Sequence, residues 1–118
     1  MTVDADICTE TVFSRFELKI SICIKNPYIL EFGVQNGEST IRFLDLCNKN
    51  NGHLYSVDIN DCSNVSNDKR WKFIKTRDDN FDFVKSQIPK ELDVIFIDSV
   101  HEANHVQKIF YNYYDQLK

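Results

Sequence analysis

Residues 93–98 read Asp-Val-Ile-Phe-Ile-Asp, four consecutive apolar residues held between two acids. The run is short for a helix, and a strand with one wet face would alternate, so the pattern fits a strand covered on both faces. Strands of that kind belong to parallel sheets layered between helices, and such sheets need strand and helix to alternate along the chain. They do so here. Residues 28–32 (YILEF) form a short apolar run between Pro27 and Gly33, and residues 53–58 (HLYSVD) and 71–76 (WKFIKT) read as two further strands. Between them Ser39, Ile41, Leu44 and Cys47 open a helical pattern that runs to Gly52, which is expected at the left-handed position past the helix end. Phe81, Val84 and Ile88 take helical spacing until Pro89. Val106, Ile109, Phe110, Tyr113, Tyr114 and Leu117 make the stripe of an amphipathic helix. The polar residues 60–68 predict a loop. Ahead of the first strand, Phe13, Phe16, Ile20 and Ile24 predict a helix over 11–26, stopped by Asn26-Pro27.

A chain of 118 residues is enough for one domain with one sizeable core. Its organisation reads as a helical segment, 1–27, followed by βα units over 28–118. The 14 basic and 18 acidic residues are mixed along the chain for a net charge of −4, with no basic run to track phosphates, so nucleic acid is not an expected partner. No apolar run reaches the roughly 18 residues of a membrane span, and the acid-bearing start does not read as a leader. A cytoplasmic protein is expected. Cys8, Cys23, Cys47 and Cys62 include no C-x-x-C pair, which favours reduced thiols over a zinc site.

In an open parallel sheet, ligands sit outside the carboxyl ends of the strands. The first strand runs into Gly33-Val34-Gln35-Asn36-Gly37-Glu38-Ser39, where two glycines four apart let the backbone turn tightly before a helix. The second ends in Asp58, 25 residues after Gly33, near the offset at which an acid meets a ribose diol in dinucleotide folds. The third leads to Arg77-Asp78-Asp79 and the fourth to Asp98-Ser99-Val100-His101. Each signal alone has a plain structural reading: the glycines as a turn, Asp58 as an acid capping a loop, His101 as the opening of the last helix. Their combination strengthens the nucleoside signal.

The motifs I-L-E-F-G-V-Q-N-G-E-S-T, Y-S-V-D and V-I-F-I-D-S-V-H resemble those of class I S-adenosylmethionine-dependent methyltransferases, in particular the small-molecule O-methyltransferase branch that includes macrocin-type and cephalosporin-hydroxylase-like proteins. The resemblance covers most of 28–118. It implies an α/β, three-layer Rossmann-like parallel sheet of strand order 3-2-1-4, without the usual C-terminal strands 5–7. It implies S-adenosylmethionine as cofactor, with Glu31 facing the methionine ammonium directly or through water. Gly33, Gly37 and Ser39 would line the methionine and ribose, Asp58 would bind the ribose hydroxyls, and Asp78, or its neighbour Asp79, would lie beside the adenine. Asp98 would sit at the reaction centre, with His101 as general base on a hydroxyl of a sugar or other small molecule; His53 and His105 read as structural. Magnesium is a further expectation of this branch, but Asp98 supplies one ligand only and the site would be incomplete. The rival readings are a non-catalytic cofactor-binding or interaction module and, third, a nicotinamide oxidoreductase. An unpaired edge on the fourth strand predicts a homodimer or a complementing chain there.

Overall fold

The computed structural model describes residues 24–97 and 103–118. Most of the helix expected over 11–26 lies outside them, and its described end, 24–26, is non-helical. Four strands, β1 (Tyr28–Phe32), β2 (His53–Asp58), β3 (Trp71–Lys75) and β4 (Val94–Ile97), pair in parallel in the order β3-β2-β1-β4. The connections carry helices α1 (Glu38–Asn50), α2 (Phe81–Gln87) and α3 (Ala103–Tyr113).

The alternation of side chains along the strands divides the core into two layers. Ile29, Leu54, Trp71, Val94 and Phe96 turn to α1, where they meet Phe43, Leu44, Leu46 and Cys47. Leu30, Phe32, Val57, Ile74 and Ile95 turn to the other face, against Val84 of α2 and Ile109 and Tyr113 of α3. In register, Ile29 stands beside Leu54 and Leu54 beside Trp71, while Glu31 stands between Ser56 and Phe96. Glu31 therefore belongs to the layer under α1, a carboxylate inside an otherwise apolar stripe.

Several local expectations change. The left-handed residue ending α1 is Asn51, with φ 59°, and not Gly52. Gly52 has a different reason to be glycine: a Cβ there would meet Pro27 at 2.5 Å. The polar stretch 60–68 holds a short 3-10 turn, Ser63–Val65. The stripe of the last helix is narrower than its spacing implies. Only Ile109 and Tyr113 are buried, Phe110 and Tyr114 are 38% and 58% exposed, and Tyr114–Gln116 tightens into a 3-10 turn. That turn brings the chain back to the sheet, where Leu117 forms a parallel bridge with Leu92, immediately before β4. Leu92 N–H donates to Gln116 O at 2.7 Å and Lys118 N–H to Leu92 O at 3.0 Å. The edge beyond β4 is thus begun by the chain's own residues.

Cys47 and Cys62 are both free and buried, and burial pushes the Cys47 thiol up to about 12. Among the described residues, no helix is long and apolar enough to cross a membrane.

Candidate functional site

Because the strands are parallel, their carboxyl ends share one rim. At its centre the chain leaves β1 through three left-handed residues, Gly33 (φ 95°), Gln35 (φ 54°) and Gly37 (φ 88°), before entering α1. Gly33 N–H continues the ladder to Val57 O at 2.9 Å, and Gly37 N–H closes the turn on Val34 O at 2.9 Å. The space where Gly37 would carry a side chain is taken by Val65, whose Cγ1 lies 2.4 Å from an ideal Cβ.

Asp58, at the end of β2, fastens this turn. Its Oδ2 accepts from Val34 N–H at 2.9 Å and Gln35 N–H at 3.1 Å, and its Oδ1 accepts from Asn60 N–H at 2.9 Å. Partial burial of Asp58 opposes ionisation, but the backbone donors of Asn60, Gln35 and Val34, helped by Cys62, outweigh it and hold the carboxyl below its ordinary value. Burial, and then the neighbouring Asp58 charge, raise the Cys62 thiol. The loop-capping reading of Asp58 is the one observed. A carboxylate offers about four acceptor sites, and Asp58 is only half-buried, so this anchoring leaves it able to accept from a ligand as well.

Glu31 is fully buried. Its Oε1 accepts from Thr40 Oγ1 and Ser56 Oγ, each at 2.7 Å, and its Oε2 accepts from the Ser39 hydroxyl. Trp71 Nε1–H in turn donates to Ser56 Oγ at 2.9 Å. Sequence reasoning placed Glu31 and Ser39 at the site but missed Thr40, Ser56 and Trp71. A signal existed: an acid inside an apolar strand requires donors, and Ser56 interrupts the apolar pattern of β2 one strand away.

The two acids after β3 part company. Asp78 has both carboxylate oxygens 3.0 Å from His105 Nε2, and its carbonyl accepts from Tyr113 O–H at 3.0 Å, so α3 grips this loop twice. Asp79 forms a fork with the exposed Arg77 at 2.9 and 3.0 Å. His105, expected to be structural, is the partner of a candidate adenine-side acid. Asp98 and His101 lie outside the described residues, so the expected reaction centre and metal ligand have no described geometry. Among the described residues no group of three or more His, Cys, Asp or Glu side chains is placed to hold a metal ion. The rim thus gathers Gly33, Gly37, Ser39 and Asp58 around the first strand's turn, with Glu31 beneath them.

A parallel sheet of order 3-2-1-4 with helices in its connections defines a Rossmann-like α/β protein. The family model described as a methyltransferase domain matches residues 30–118, and the chain belongs to that family. No curated protein matches it.

Proposed function

We propose that the chain binds S-adenosylmethionine at the rim of β1 and β2 and transfers its methyl group to a hydroxyl of a sugar or other small molecule. The observation that carries this reading is the Asp58 carboxylate holding the left-handed turn at Val34 and Gln35, which places backbone and acid together where a nucleoside sits in sheets of this kind. The donor set suits the cofactor's charges. An ammonium and a sulfonium are favoured by a rim of acids. When bound, S-adenosylmethionine would supply an electrophilic methyl group. The protein's part is to hold donor and acceptor in line, with Asp58 toward the ribose, the turn Gly33–Gly37 and Ser39 along the amino-acid end, and His101 as the base on the acceptor.

Calorimetric titration with S-adenosylhomocysteine tests the reading. Binding is expected, and Asp58→Ala should weaken it by ~1.5–3 kcal/mol, the loss when hydrogen bonds to a charged group disappear. Equal affinity in both proteins would remove Asp58 from the site. Methyl transfer should fall ~10²-fold in His101→Ala with cofactor affinity little changed. Binding without transfer to any hydroxyl acceptor would assign the chain to the non-catalytic alternative. The proposal extends to assembly, with a second copy of the chain along the outer edge of β4.

A further inference from the structure

Helix α1 carries an Asn-Gly dipeptide at each end, Asn36-Gly37 before its first turn and Asn51-Gly52 after its last. In such a pair the glycine nitrogen can attack the asparagine side-chain amide, because glycine has no Cβ to hinder the approach and its backbone bends readily. The sequence makes the two pairs equal. The fold does not.

Asn51 is stitched to the chain ahead of β1. Its Nδ2 donates to Asn26 Oδ1 at 2.8 Å, and Gly52 N–H donates to Cys47 O at 2.8 Å. On either side of the pair, Asn50 O accepts from Asn26 N–H and His53 N–H donates to Pro27 O, each at 2.8 Å. Asn36 is exposed, and among the described residues no hydrogen bond holds its side chain. The attacking nitrogen is restrained by the bond from Gly37 N–H to Val34 O at 2.9 Å, in a turn whose residues Gln35 and Asn36 face solvent. The helix adds to the contrast. Its N-terminal end favours the negative charge that the attacking nitrogen and the amide oxygen acquire, and its C-terminal end disfavours it. Asp58 opposes this field from its place on Val34 and Gln35, so the free side chain of Asn36 is the larger difference.

We infer that Asn36 is a deamidation site of the folded chain and that Asn51 is spared. Gly37 N gives its proton to solvent hydroxide and bonds to Asn36 Cγ. The Cγ–Nδ2 bond then breaks, and the nitrogen takes up a proton and leaves as ammonia. Water opens the resulting cyclic imide at either carbonyl, leaving aspartate or isoaspartate at position 36. The isoaspartyl product inserts a backbone carbon into the turn that Gly37 closes on Val34, and both products add a negative charge to the rim. No ligand enters the argument, so the inference stands apart from the cofactor reading.

Peptide mapping by mass spectrometry, after incubation of the whole chain in mildly alkaline buffer, is the experiment. In the folded chain Asn36 should convert at least ~10-fold faster than Asn51, the combined effect of the tether and of the opposed helix ends. In denaturant the two should convert at similar rates. Asn26→Gly suits the left-handed backbone there, at φ 55°, and removes the tether, so it should raise the Asn51 rate in the folded chain ~2–10-fold, the worth of one hydrogen bond. Asn51 reacting as fast as Asn36 in the folded chain, or neither reacting there while both react in denaturant, would overturn the inference. An unchanged Asn51 rate in Asn26→Gly would overturn the tether as its cause. The deamidated fraction, separated by ion exchange, should unfold at lower denaturant than the parent, and an equal midpoint would overturn the consequence for the turn.

Discussion

A methyl group at position 37 would lie 2.4 Å from Val65 Cγ1, on a backbone whose φ of 88° L-residues rarely adopt. Gly37→Ala should therefore destabilise the fold by ~2–4 kcal/mol, combining left-handed strain with overpacking, as read by chemical denaturation. Adding Val65→Ala should recover the packing part and leave the backbone part, so the double variant should fall between the two. Asp58 makes a second prediction at this scale. Its carboxyl is held below the ordinary value of 3.8, so its contribution is full above that value and is lost as pH falls through the lower, folded one. The denaturation midpoint should drop on acidification below about pH 4, and Asp58→Asn, which cannot ionise, should flatten part of that drop. An identical acid profile in the variant would show that other carboxylates govern it.

Among the elements, α3 is the one whose sequence and packing differ most. Its spacing offers a broad apolar face, but only Ile109 and Tyr113 are buried, the Tyr113 ring tilted against Phe32 at 5.0 Å and edge-on to Phe81 at 5.5 Å between centroids. Burial, and then the charges of Asp78 and Asp79, raise its phenol far above the ordinary range, so it remains a neutral donor to Asp78 O at any working pH. Tyr113→Phe should cost about 1 kcal/mol, the worth of that hydrogen bond. His105→Ala should loosen the loop after β3, seen as faster amide exchange around Asp78, while exchange in β1 and β2 stays slow. Uniform exchange changes would mean that α3 does not grip that loop separately. Phe110, Tyr111 and Tyr114 pack on one another outside this contact, with centroids 5.9 and 5.4 Å from Phe110.

At the scale of the molecule, β4 ends the sheet among the described residues, and its outer ladder is engaged only where Leu92 meets residues 116–118. Parallel ladders alternate, and Asp93 N–H goes to Tyr28 O on the β1 side, so Val94 and Phe96 direct their backbone groups outward. Light scattering at micromolar concentration should show a dimer that Val94→Pro, which removes an outward backbone donor along with some packing under α1, converts to monomer. A monomeric wild-type chain would show that the tail suffices to close this edge. Periodicity and punctuation alone determined the strands, their parallel pairing and the position of Gly33, Gly37 and Asp58 at the strand ends, because the 2- and 3.6-residue repeats and the glycines are local properties of the chain, while Ser39 entered through the family resemblance. Gly52 and Asn51 exchange roles because the sequence marks a helix end without showing that Pro27 packs there. Ser56 and Trp71 could not be assigned to Glu31 from spacing, since they lie 25 and 40 residues away and meet it only through strand register. His105 on Asp78 and Leu117 on Leu92 have the same origin. Which donors satisfy a buried acid, and which edge a chain end reaches, are set by how the layers stack, and only the tertiary structure decides that.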